Sequence, residues 1–186
     1  DFISTDTAII LNDTKVIKAR FFGKKESGGE IEVLLNTPLH DNLYTAYIRG
    51  KVKEGTFLFF EQDLSATVIK LHDDGMRTLA FFQNHTPIHT TKLFDILETI
   101  GHIPLPPYIK REDTKDDSVD YQSVFADKQG AVAAPTASLH FTPSMFEALK
   151  TNSKSKALDN IKAIIQTKNI PTIPPINDKI TASNKN

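Results

Sequence analysis

LYTAYIRGKVKEGTFLFFEQDLSATVIKLHDDGMRTLAFF, residues 43–82, is the stretch whose reading decides the fold. Runs rich in strand formers occupy residues 43–49, 56–60, 66–71 and 77–82, punctuated by Gly50, Gly55 and Asp73-Asp74-Gly75. β-branched and aromatic side chains suit a pleated, half-buried surface, while glycine and aspartate favour the tight turns between strands. Upstream, Glu30-Ile31-Glu32-Val33-Leu34-Leu35 alternates and then runs apolar, and Ser27-Gly28-Gly29 before it signals a hairpin. Residues 15–22 read as one more strand, whose period-2 geometry puts Lys18 and Arg20 on a face with Val16 and Phe22. Ala8-Ile9-Ile10-Leu11 is a short buried strand ending at the turn formers Asn12-Asp13. Strands this short and this evenly spaced predict a small antiparallel barrel or sandwich. Open edges are costly, so closure into a barrel is expected.

Past residue 90 the pattern becomes helical. Thr90 or Thr91 caps a helix through residues 92–100 that ends at Gly101, with Leu93, Ile96, Leu97 and Ile100 on one apolar face. Pro104, Pro106 and Pro107 then enforce an extended, stiff segment. A short helix is expected around Tyr121 to Ala126. Thr142-Pro143 reads as the cap and first turn of another helix, with Met145, Phe146 and Leu149 inward. Ser155 caps a last helix presenting Leu158, Ile161 and Ile165, and the Pro-, Lys- and Asn-rich end should be disordered.

Composition excludes several classes of function. The 186 residues carry 22 Lys plus Arg against 23 Asp plus Glu, so any contact with nucleic acid must be local. With no cysteine there is no disulfide framework, no thiolate metal site and no thiol nucleophile. No apolar run approaches the roughly 20 residues of a membrane span, and the first residues lack the basic start and apolar stretch of a signal peptide. The expectation is a soluble protein of a reducing compartment. No Walker loop or glycine-rich dinucleotide turn is present, and Pro87 between His85 and His89 argues against a helical metal pair. No metal site is expected.

Three stretches carry candidate chemistry. GAVAAPTASLHF, residues 130–141, has small residues that admit close backbone approach. Within it Thr136 and Ser138 supply hydroxyls, Pro135 fixes one φ, and His140 offers an imidazole suited to proton transfer. The plainer reading is tight packing around one satisfied histidine. Lys15, Lys18, Arg20, Lys24 and Lys25 form the strongest basic cluster, fit for phosphates or simply for guarding a strand edge. Tyr108 and Arg111 follow the prolines, where Tyr108 can stack on a base and Arg111 can grip a phosphate or carboxylate. Asn12, Thr14 and Arg20 make a polar set at a strand end, with turn and cap chemistry as the alternative.

Taken together, LNDTKVIKARFFGKKESGGEIEVLL (residues 11–35), IGHIPLPPYIKR (100–111) and DYQSVFADKQGAVAAPTASLHF (120–141) resemble the S-adenosylmethionine:tRNA ribosyltransferase-isomerase family of queuosine synthesis. The resemblance runs from about residue 8 to 149. It implies a bacterial cytoplasmic transferase that needs no metal and binds no permanent cofactor, with S-adenosylmethionine as co-substrate. The ribosyl part of that molecule moves to a 7-aminomethyl-7-deazaguanine at the tRNA wobble position, giving epoxyqueuosine, while adenine and methionine leave. The implied fold is α+β, an antiparallel β-barrel inserted in a (here incomplete) α/β domain. Its divisions fall at 1–15 for the start of the α/β domain, 16–102 for the barrel, 103–150 for the return to the α/β domain, and 151–186 for a tail unlike the family.

Carried over position by position, the family's Asn-x-Thr motif falls on Asn12 and Thr14 and continues through Lys15, Val16, Ala19 and Arg20. Its Pro-Leu-Pro-Pro-Tyr motif falls on residues 104–111, and its Tyr-Gln pair on Tyr121 and Gln122. The glycine-rich motif falls on residues 130–141, with Ser138 where glycine is usual. If φ were positive there, serine would strain the loop. In this reading His140 transfers the proton, and Asn12, Thr14, Tyr108, Pro135, Thr136 and Ser138 bind substrate. Arg20 and Arg111 hold a carboxylate or phosphates, and Lys15, Lys18, Lys24 and Lys25 contact tRNA. Against the family the chain reads as shortened at both ends, so it would act alone or be completed by a complementary chain. The alternative is a non-catalytic remnant whose barrel folds and at most binds tRNA weakly. An unrelated single-strand binder resting on Phe57, Phe59, Phe60, Phe81 and Phe82 ranks last, because barrel aromatics are more often core.

Overall fold

The computed structural model describes residues 11–106 and 108–152. They form two compact units: residues 22–89, and residues 11–21 together with those from 90 onward. The first unit thus interrupts the chain of the second, as the resemblance implied for the inserted barrel.

The barrel is built from β2 (Arg20–Lys25), β3 (Glu30–Pro38), β4 (Leu43–Arg49), β5 (Phe57–Phe59), β6 (Leu64–Leu71) and β7 (Arg77–Gln83). Their order is β4-β3-β2-β5-β6-β7, and β7 pairs back onto β4 through Leu43↔Ala80 and Tyr44↔Leu79, which closes the ring. Alternation explains the interior. Ile31, Val33 and Leu35 point inward from β3, joined by Leu58, Leu64, Ala66, Val68, Leu79 and Phe81, all buried. The ring of Tyr44 meets that of Phe81 edge-on at 5.8 Å, a favoured aromatic geometry. Full burial of Leu58 alone contributes about 1.5–3 kcal/mol. At the hairpin joining β2 to β3, Lys25 N donates to Gly29 O and Gly28 takes φ +83°, which glycine accepts without strain. Asn84 and His85, both at positive φ, make the two-residue turn into β8 (Thr86–Pro87).

The other unit holds β1 (Thr14–Val16) paired in parallel with β9 (Lys128–Ala131), and three α-helices, α1 (Thr90–Ile100), α2 (Asp117–Asp120) and α3 (Pro143–Asn152). A short 3-10 helix spans Thr136–His140. Of the expected apolar face of α1, Leu93, Ile96 and Leu97 are buried, with Phe94 beside them, whereas Ile100 is only half-buried. Its end is fixed by Gly101, whose N–H donates to Leu97 O. Thr142 caps α3 by accepting from Met145 N at 3.2 Å.

Several expectations are corrected. Residues 15–22 are not one strand: β1 ends at Val16, Ala19 N turns back to Ile17 O, and β2 starts at Arg20. The two pieces serve different sheets, so the shared face of Lys18 and Arg20 does not form. The helix expected at residues 121–126 lies earlier, at Asp117–Asp120, because Gln122 is drawn away to bond Val16. Met145 is exposed rather than inward, and Phe57 and Phe59 face outward rather than into the core. The strand at residues 8–10, the helix from Ser155, and the side chains of Phe146 and Leu149 lie outside the described residues.

Candidate functional site

The parallel pair β1–β9 is the scaffold of the site, aligned through Thr14↔Lys128 and Val16↔Ala131. Among the described residues, the edge of β1 away from β9 is covered by a side chain. Gln122 Oε1 accepts from Val16 N at 2.9 Å and Gln122 Nε2 donates to Val16 O at 2.8 Å, so the amide substitutes for a neighbouring strand. At the amino end of β1, Asn12 Oδ1 accepts from Thr14 N at 2.8 Å and from Thr14 Oγ1 at 2.5 Å, an Asx turn. Buried Asp13 ties the same end to β9. Its carbonyl accepts from Asp127 N and Lys128 N, and its carboxylate accepts from Lys128 Nζ at 2.6 Å.

The chain leaves both strands at the opposite, carboxyl end. There Ile17 N donates to Ala131 O. Lys18 Nζ reaches the last turn of α1, donating to Glu98 O at 2.6 Å with the Glu98 carboxylate 3.8 Å away. Arg20 and His102 exchange two backbone hydrogen bonds, at 3.2 and 2.7 Å. After β9, Val132 is buried, and the loop tightens where Ser138 N donates to Pro135 O at 2.8 Å. Thr136 and His140 are exposed on this loop, and Ser138 is buried. Ser138 is not among the positive-φ residues, so serine in place of glycine strains nothing. Phe125 packs edge-on against Phe141 at 5.5 Å and anchors the loop's far end.

An ion-pair network braces the segment between α1 and α2. Asp113 Oδ1 lies 2.8 Å from His102 Nδ1, and its Oδ2 accepts from Ile103 N at 3.0 Å. Arg111 grips the buried Asp117 carboxylate with both arms, at 2.6 and 2.8 Å, and Thr114 N donates to the same group at 2.6 Å. The Arg111 bond, followed by the Thr114 N–H, holds the Asp117 carboxyl well below the usual carboxylate range, while the same bond raises Arg111 further. Desolvation, then the nearby Tyr108, pushes the Tyr121 phenol up. Tyr108 itself is 78% exposed.

The predicted site residues therefore separate. Lys18, Arg20 and the loop bearing Pro135, Thr136, Ser138 and His140 depart from the carboxyl end of the pair, where open α/β folds bind their ligands. Asn12 and Thr14 depart from the amino end and serve a turn. Arg111 spends its fork on Asp117. Lys15 is on β1, whereas Lys24 and Lys25 belong to the barrel unit, so the basic cluster is divided. Asp13, Lys128, His102, Asp113 and Asp117 were missed. Asp117 stands in an acidic run that reads as solvated, and Asp13 is 115 residues from Lys128. Among the described residues no group of three or more His, Asp or Glu is placed to hold a metal ion. No helix among them is long and apolar enough to cross a membrane.

A family model described as "Queuosine biosynthesis protein" matches residues 1–159. The chain belongs to the queuosine biosynthesis protein family. Over 157 residues it is 55% identical to the S-adenosylmethionine:tRNA ribosyltransferase-isomerase of Campylobacter jejuni, a match covering 83% of this chain and 46% of that protein. The protein of the same name from Campylobacter fetus is 56% identical over 147 residues, covering 79% of this chain and 43% of its own length. The crystal structure of S-adenosylmethionine tRNA ribosyltransferase from Thermotoga maritima is 27% identical, with a TM-score of 0.37, covering 83% of this chain and 38% of that one. The chain thus spans under half the length of the curated relatives it matches.

Proposed function

We propose that this chain carries part or all of the ribosyl transfer and isomerisation by which S-adenosylmethionine modifies a 7-aminomethyl-7-deazaguanine at the tRNA wobble position. The observation that supports it is that the loop of residues 132–141 and the segment bearing Lys18 and Arg20 leave the same, carboxyl end of a parallel strand pair. In this reading S-adenosylmethionine is a co-substrate, tRNA is the partner, and the reaction runs in the cytoplasm. Release of the ribosyl group begins with loss of a proton beside the sulfonium, and an exposed imidazole can accept that proton. His140 fills that role, with Thr136 bonding the ribose. Arg20 matches the methionine carboxylate through its planar fork. Arg111, neutralised by Asp117, shapes the segment that presents Tyr108. Lys24 and Lys25 contact RNA from the barrel.

Adenine release from S-adenosylmethionine, followed with tRNA bearing the 7-deazaguanine base, tests the proposal. Release that falls about 10²- to 10⁴-fold in His140→Gln supports it. A folded chain that releases no adenine, alone or with the remaining family segments supplied, refutes it in favour of a non-catalytic, RNA-binding role.

A further inference from the structure

On the barrel's outer surface three phenyl rings stay about half exposed: Phe22 at 46%, Phe57 at 51% and Phe59 at 48%. Register explains why. Leu58 between the last two is fully buried, so its neighbours must point outward. Phe57 faces Thr67 and Phe59 faces Ser65 on β6, residues too short to cover the rings. On the other side Lys24 of β2 lies directly opposite Phe59, and paired residues share a face. A cleft of about 590 Å³ opens here, lined by Phe22, Phe59 and Phe60 together with Lys24, Glu30 and Glu61. Its size is that of a small-ligand site. Glycine at position 23 lets the Phe60 ring and the Phe59 carbonyl pack against it, because a Cβ there would collide with both.

We infer that this cleft binds an unpaired base of an RNA strand. It rests on the reading of RNA as substrate given above and names a second point of contact on it, in the barrel. Stacking on an aromatic face needs no particular sequence, since every base has a π-face, and exposed rings on a barrel provide it. Lys24 supplies charge for the adjoining phosphate. Glu30 and Glu61 accept from base N–H groups, which favours guanine, whose N1–H and N2–H stand side by side for a carboxylate, over uracil, whose single N3–H is flanked by two carbonyls. A protein-docking face would instead have an apolar centre depleted of charge, and here charges line the cleft itself.

Fluorescence anisotropy of the full chain with a labelled unpaired heptaribonucleotide, alone and annealed to its complement, tests the inference. Phe59→Ala should weaken binding of the unpaired strand by about 5- to 150-fold, the loss of one stacked base. Phe59→Tyr keeps the ring and should bind as the parent does, and Glu30→Ala with Glu61→Ala should erase the preference for guanine over uracil. Equal binding by the parent and Phe59→Ala overturns the inference. So does equal binding of the annealed duplex, or sedimentation showing that the rings serve only to join two copies of the chain. A chain that releases adenine while its RNA affinity ignores Phe59 keeps the proposed function and loses this site. One that binds unpaired RNA through Phe59 yet never releases adenine does the reverse.

Discussion

Replacing Gln122 by alanine should loosen the parallel pair on which the candidate site is built. The amide makes two hydrogen bonds to Val16, at 2.9 and 2.8 Å, and Val16 is only 2% exposed. Removing the side chain leaves one buried N–H and one buried C=O without partners. Each such group costs about 1–3 kcal/mol, and water entering the space left by the half-buried amide recovers part of it, so a loss of about 2–3 kcal/mol is expected. At about 1.4 kcal/mol per factor of ten, that is a fall of about 30- to 150-fold in hydrogen-exchange protection at the Val16 amide. Leu58, fully buried in the barrel unit, serves as the control and should keep its protection. Gln122→Glu separates the two bonds, because a carboxylate can still accept from Val16 N but repels Val16 O. Its effect should approach that of alanine above the carboxyl pKa and shrink below it. Unchanged Val16 protection in Gln122→Ala would refute the reasoning that this side chain holds the outer edge of β1.

Two further expectations concern the same unit. The Asp117 carboxyl titrates below its unfolded value, so its stabilisation is complete above about pH 4 and is withdrawn as pH falls toward the folded pKa. Urea midpoints compared at pH 6 and pH 2.5 should therefore drop less in Asp117→Asn than in the parent; an equal drop contradicts the Arg111–Asp117 assignment. Gly101→Ala should destabilise by about 1–3 kcal/mol in urea, because the new Cβ would run into Lys18 O and Leu97 O. A gain in stability, as at an open helical glycine, would show that the two segments are not packed this closely.

What the sequence made legible was local. Alternation from Glu30 to Leu35 and turn chemistry at Gly28 and Gly75 were enough to place the barrel strands, and the apolar spacing of Leu93, Ile96 and Leu97 placed α1. Partner identity was not legible. Residues 15–22 look like a single strand because propensity does not reveal that Val16 pairs with Ala131 while Lys24 pairs with Phe59. Thr56 to Phe60 is apolar at nearly every position, so it carries no alternation to tell the outward Phe57 and Phe59 from the inward Leu58. At the site, the stretch of residues 130–141 stood out by composition. Its geometric relation to Lys18 and Arg20 follows from a pairing between segments more than 100 residues apart. Arg111 drew attention as a free cation, yet its bond to Asp117 depends on a turn at Thr114 that nothing in the local pattern announces.

The central claim is that the carboxyl end of the β1–β9 pair receives S-adenosylmethionine, and amide chemical shifts recorded while that molecule is titrated into the full chain test it most directly. The account predicts shifts that saturate together at Lys18, Arg20 and residues 131–141, with Asn12, Thr14 and the barrel amides of β6 left in place. Saturable shifts confined to the barrel or to the Asn12 turn, or none at any concentration, would contradict it.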